Sequence, residues 1–337
     1  MTLGNPFPFC ELSASELSFL ASGAANDVYE IKGQSLIMAR SFIDEEALVL
    51  RINRTKLSLS ESILNHRGII SIDNSLKKTP ISKYLTNFTV VTISCETLQN
   101  LGYEINENLV AIILKKVFTE NFLEIKPKNA IFSHQKNLTQ ETQILGKICN
   151  LHFSLAKKDK NYKICTQKIF EENPDFSEIK TTKFYKNKNI SLEKNEEEEL
   201  FREILKITRN LQKSLQIETI FYKKLSENYE EIFEKIEQFD FSKNDEFTEK
   251  CFCDEISKND LMKIINFVPE KVADSENTAK ILLKFCLKDF SIILNEEKNI
   301  FLIDLDFKIN KLNYWNSVIK KGAQKMLDDM ILAEKNE

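Results

Sequence analysis

The period of the apolar residues changes twice along this chain, and those changes confine it to mixed architectures. Near the start, LSFLASGAANDVYEIKG and ALVLRINR read as short alternating strands across residues 18 to 54, with a small-residue turn between the first two. A helical segment follows over 55 to 70, and NFTVVTISC at 87 to 95 is β-branched and strand-like. The stretch ENLVAIILKKVFTENFLEIKPKNAIF then passes from mixed period into a strand that ends at Lys126-Pro127-Lys128. From 192 to 250 the apolar residues fall three and four apart among charges, the mark of amphipathic helices with solvated outer faces. After 280 the strand texture returns in LKDFSIIL, a turn at NEEKN and IFLIDLDFK, before a closing helix in NYWNSVIKKGAQKMLDD. The class this predicts is α+β.

A chain of 337 residues exceeds what one core usually serves, so two lobes are expected. Against 51 Asp+Glu stand 47 Lys+Arg, a net charge of −4, which argues against nucleic acid or an acidic membrane as partner. Basic sites must be local. The seven cysteines are odd in number and scattered, so they read as thiols rather than a disulfide framework. With no leader-like N-terminus and no apolar run of about 18 residues, a soluble monomer of the cytoplasm or nucleus is expected.

Four segments carry candidate chemistry, each with a plainer alternative. In FLIDLDFKIN, read as extended, Asp304, Asp306 and Lys308 share one face while Leu305 and Phe307 turn to the core. Two carboxylates beside a cation suit Mg²⁺, which takes one or two carboxylates and completes its shell with water and phosphate; the plain alternative is a hydrated strand end. Asp289 precedes the partner strand, on a loop at the mouth of the same hairpin. A carboxylate there can accept a hydroxyl proton beside a metal-binding one, or merely cap a turn. In FLEIKPKNA the proline holds Lys126 extended, so Lys126 and Lys128 project together as a phosphate clamp or as surface charge. In SGAANDVY, Gly23, Ala24 and Ala25 leave room for backbone N–H groups to approach a phosphate, without the spacing of a Walker or dinucleotide loop. Arg51 lies on the next strand pair, where kinases keep a nucleotide lysine.

In this order the segments resemble the inositol-pentakisphosphate 2-kinase family. The matches are Ala25-Asn26-Asp27-Val28, Val49-Leu50-Arg51-Ile52, Glu124 to Lys128, Lys288 to Ile292, and Ile303 to Lys308. The resemblance implies a two-lobed kinase-like fold, with a β-rich N-lobe over 1–122, a larger mixed C-lobe over 123–337 and a catalytic hairpin at 286–308. It implies transfer of the γ-phosphate of ATP to the 2-hydroxyl of inositol 1,3,4,5,6-pentakisphosphate. Asp289 would be the base and Asp304 the Mg²⁺ ligand, with Asp306 as a second. Gly23, Ala24, Ala25, Asn26, Val28 and Arg51 would steady the nucleotide. Lys126, Lys128 and Lys308 would neutralise phosphates, Lys126 also at the transferring group.

The chain departs from the family after Lys308, where Ile309 stands in place of proline, and Lys311 and Tyr314 match only approximately. His152, Lys157, Asn187 and Asn189 are weaker counterparts of other family positions. Cys251-Phe252-Cys253 lacks partners for a tetrahedral zinc, so none is expected. Two further readings stand beside the first: a kinase for another inositol phosphate, and a binding protein that has lost the chemistry.

Overall fold

The computed structural model describes residues 5–22, 26–53, 58–117, 120–125, 153–154, 156–157, 185–190, 194–215, 217, 221–242 and 256–335. Gly23, Ala24, Ala25, Lys126, Lys128, His152, Cys251 and Cys253 lie outside them.

The first half of the chain builds an antiparallel sheet of five strands: β1 (Leu17–Ser22), β2 (Asn26–Ile31), β3 (Leu48–Asn53), β4 (Phe88–Ile93) and β5 (Leu109–Lys115), in the order β1-β2-β3-β5-β4. Alternation decides its faces. On β2, Asp27, Tyr29 and Ile31 are buried on one side, with Leu50, Ile52, Val91 and Ile113 in the same core. The opposite face carries Asn26 and Val28, in register with Asn53 and Arg51 of β3.

The expectation of strands throughout 18 to 54 is corrected by helix α1 (Gly33–Arg40). Its start is secured from a distance: the Glu16 carboxylate accepts the backbone N–H groups of Gln34 at 2.9 Å and Ser35 at 2.7 Å. A cap lent by a residue that far upstream leaves no local sequence signal. Helix α2 (Leu59–Leu76) does have one, a capping box between Ser58 and Glu61. Its buried face, with Ile63, His66, Ile69 and Ile72, packs on the sheet at β5. A short helix α3 (Cys95–Asn100) joins β4 to β5.

A second sheet, ordered β11-β10-β6-β7, combines β6 (Phe122–Ile125) and β7 (Tyr185–Lys188) with the hairpin of β10 (Ser291–Asn295) and β11 (Ile300–Ile303). Every residue of β10 is buried, because it is an inner strand covered on both faces. The charged middle segment supplies α4 (Lys194–Ser214) and α5 (Tyr229–Glu237), as its period predicts. They are followed by α6 (Lys258–Asn266), α7 (Ser275–Asp289) and α8 (Leu312–Lys335), with a small parallel pair of β8 (Tyr222–Lys224) and β9 (Lys271–Val272). The architecture is therefore mixed α+β with largely antiparallel sheets. Among the described residues, no helix is long and apolar enough to cross a membrane.

One core runs through the junction of the two sheets, uniting Val90, Val110 and Ile112 of the first sheet and Ile72 of α2 with Leu123, Ile292, Phe290 and Leu302. Thr86 adds a polar tie, its hydroxyl donating to the carbonyl of Leu302 at 3.0 Å. Leu123 is fully buried in that shared core, so Leu123→Ala should cost about 2–5 kcal/mol of stability. Phe19→Ala on the exposed edge strand should cost less than about 1 kcal/mol. Urea unfolding of the two variants checks the contrast.

Candidate functional site

The extended reading of residues 301 to 310 holds only as far as Ile303. Ser291 pairs with Ile303 as the last rung of the hairpin, and the chain then turns: Asp304 adopts φ +65° and its carbonyl accepts the Asp306 N–H at 2.9 Å. The partner strand has begun at Ser291, so residue 304 has no β10 neighbour to keep it extended. Burial nevertheless still alternates. Leu305 and Phe307 enter the core while Asp304, Asp306 and Lys308 stay half-buried. The shared face inferred for the three charged residues is thus produced by a loop rather than a strand.

Asp306 meets Arg51 of β3 in a direct ion pair between residues 255 apart in sequence. Lys308 approaches the other Asp306 oxygen, with its Nζ 4.0 Å away. The Ser291 hydroxyl donates to Asp304 Oδ2 at 3.2 Å. Burial disfavours the Arg51 charge, but the Asp306 and Asp304 carboxylates outweigh it and raise the guanidinium above its ordinary value. The pair closes one side of a recess of about 40 Å³, lined by Asn26, Asn53, Asn65 and His66, with Ile69, Ile112 and Phe307 beneath.

Asp289 is the last residue of α7 rather than a loop residue. Its side chain lies outside the described part of the structure. Its backbone stands two positions before Ser291, so it shares the open end of the hairpin with Asp304. Among the described residues, no cluster of three or more His, Cys, Asp or Glu side chains is gathered to hold a metal.

Beyond Lys308 a basic and aromatic group forms at the head of α8. Lys311 Nζ lies 5.3 Å and Lys157 Nζ 5.1 Å from the ring centre of half-exposed Tyr314. Lys157 arrives there because the turn holding Phe153 lies against Gly322 of α8, where a side chain would strike the Phe153 backbone. Asn187 is otherwise engaged: its amide donates to the Ile190 carbonyl at 3.1 Å and its oxygen accepts the Ile190 N–H at 3.0 Å. Asn189 adopts φ +58° in the same turn. Val28, a proposed nucleotide contact, lies directly opposite Arg51 in the β2–β3 register.

Sequence reasoning missed Ser291, Asn53, Asn65 and His66. The available signal for His66 was its position on the apolar stripe of α2, three residues from Ile63 and from Ile69. Its Nδ1 lies 2.7 Å from the Ser62 carbonyl, which fixes the proton on that nitrogen. No protein-family model matches the chain, and no curated protein matches it.

Burial pushes the His66 imidazole down to about 4, aided by the Arg51 charge and opposed by the Ser62 carbonyl and Asp306. A depressed histidine keeps its stabilising effect above the unfolded value of about 6.5. Between about 6.5 and 4 the unfolded chain binds a proton that the folded chain refuses, so stability falls on acidification. His66→Asn should remove that component, worth up to about 3 kcal/mol across the window, as urea midpoints measured against pH will show.

Proposed function

We propose that this chain is an ATP- and Mg²⁺-dependent kinase of two-lobed, kinase-like architecture. Its acceptor on this reading is an inositol polyphosphate, inositol 1,3,4,5,6-pentakisphosphate phosphorylated on its 2-hydroxyl. The observation that carries the reading is the meeting of Arg51 with Asp306 beside Asp304, where a five-stranded antiparallel sheet faces a hairpin. Phosphoryl transfer needs little covalent chemistry from a protein; it needs fixed cations and metal-binding carboxylates aimed at developing charge.

The donor set fits the metal. Two half-buried carboxylates without a third protein ligand among the described residues suit Mg²⁺, whose remaining positions go to water and phosphate oxygens. When bound, Mg²⁺ supplies Lewis-acid neutralisation of the phosphate oxygens. Asp304 and Asp306 would hold it, the Ser291 hydroxyl keeping one Asp304 oxygen oriented. Arg51, with Asn26 and Val28 opposite on β2, would steady the nucleotide phosphates. Asp289, across the hairpin mouth, would accept the proton of the attacking hydroxyl. Lys308 beside Asp306, and Lys311 and Lys157 around Tyr314, would neutralise acceptor phosphates as point charges, joined by Lys126 and Lys128. A net charge of −4 makes such local concentration of cations necessary for a polyanionic substrate.

One observation favours a second reading. Arg51 and Asp306 already satisfy each other, so the lysines around Tyr314 could bind an inositol phosphate without any transfer. The two readings part in one experiment. Native protein incubated with ATP, Mg²⁺ and the pentakisphosphate should yield the hexakisphosphate on anion-exchange chromatography. Asp304→Ala and Asp289→Asn should each lower turnover at least about 100-fold. Acceptor binding with no product from native protein, across a panel of inositol phosphates, would replace the kinase with the binding protein. Lys311→Ala should raise the acceptor KM severalfold, with the deficit shrinking as salt is raised.

A further inference from the structure

We propose that Phe307 is a positioning residue that holds Asp306 against Arg51, in a socket made by Gly68 of α2 and Phe233 of α5. The proposal rests on the reading of this cleft as a nucleotide site. Phe307 follows Asp306 directly and is almost wholly buried. Its ring crowds the space a side chain would take at Gly68: a methyl group there would press on three ring atoms well inside van der Waals contact. The other wall is Phe233, with ring centres 5.7 Å apart. The loop has just left its strand and turned through a left-handed residue, so the hairpin ladder no longer fixes residue 306. The buried ring immediately beyond the carboxylate supplies that fixation.

The socket is itself clamped. Arg67, beside Gly68, grips Glu230 through two bonds of 2.5 and 2.6 Å, and its guanidinium lies 5.0 Å from the Phe233 ring centre. One turn further, the Ser71 hydroxyl donates to Glu237 at 2.9 Å, and Lys78 reaches the Glu237 carbonyl at 2.7 Å. On its far side α5 is tied to the start of α7 by the Ser275 hydroxyl on Glu231 at 2.7 Å. Helix α5 therefore joins α2, which faces Arg51, to α7, which ends at Asp289. This gives part of the charged middle segment a task beyond packing: it keeps the cleft's groups in mutual register.

The test measures Mn²⁺·ATP binding to the full chain by electron paramagnetic resonance, in native protein, Gly68→Ala, Phe307→Ala and the double variant, with far-UV circular dichroism as the check on folding. Each single substitution should weaken binding at least tenfold. The double variant should bind within threefold of Phe307→Ala, because the added methyl acts only through the ring. Losses that multiply, or a Gly68→Ala protein that binds as tightly as native, would overturn the proposal. A second measurement needs no ligand: Asp306→Asn should lower the urea midpoint of native protein, and by less than half as much in the Gly68→Ala background. Equal losses in both backgrounds reject the socket. Native protein that binds no Mn²⁺·ATP rejects the nucleotide-site reading instead, and the urea cycle then judges the socket alone.

Discussion

The ion pair between Arg51 and Asp306 is the constraint on which the cleft depends. Arg51 is largely withdrawn from water and Asp306 partly so, and each is the other's direct charge partner. Removing Asp306 takes away the direct partner of the buried guanidinium while Asp304 still opposes its charge, so the penalty falls below the about 3–5 kcal/mol of a fully orphaned buried charge. The pair therefore does more than decorate the junction: it obliges the strand that bears Arg51 and the loop that bears Asp306 to form against each other. Lys308 on the same carboxylate and Ser291 on Asp304 extend that arrangement into a small polar network within an otherwise apolar junction.

Much of the architecture was legible because periodicity reports burial. Strands β1 to β4, β6, β10 and β11, the amphipathic α4 and α5, and the closing α8 were foreshadowed by the spacing of apolar residues, whereas β5 read as mixed period and the polar β7 carried no strand signal. Helix α1 was not, since its cap comes from Glu16 and its eight residues carry only a weak stripe. The site was legible in part. Alternation brought Asp304, Asp306 and Lys308 to one face even though the strand had ended, because Leu305 and Phe307 still had a core to enter. The Arg51–Asp306 contact joins positions so distant in sequence that spacing alone says nothing of it. The socket at Gly68 was also out of reach, since a helical glycine normally signals weakness rather than the close approach of an aromatic ring.

The continuity of the core bears on how the two halves relate. The second sheet begins at Phe122, yet α2, from the earlier segment, packs against β5 and α5 and lies in the same apolar core as β6 and β10. Helix α2 is thus rooted in both halves. An outward swing of this helix would have to expose Ile63, Ile69 and Ile72 and break the Arg67 and Ser71 bonds to α5 together. The cost of opening is spread over one cooperative unit rather than held at a hinge.

The left-handed turn at Asp304 narrows what this position can be. At φ +65° glycine is at ease, asparagine and aspartate are tolerated because their short side chains meet local backbone groups, and β-branched or bulky residues are strained. Of these three favoured residues, only aspartate carries a charge. Glutamate, the obvious chemical substitute, would add both a methylene of reach and a backbone penalty. Lys298, at φ +62° in the turn of the same hairpin, shows that a longer side chain can be carried in this conformation, so backbone geometry favours the shorter acid at 304 without dictating it.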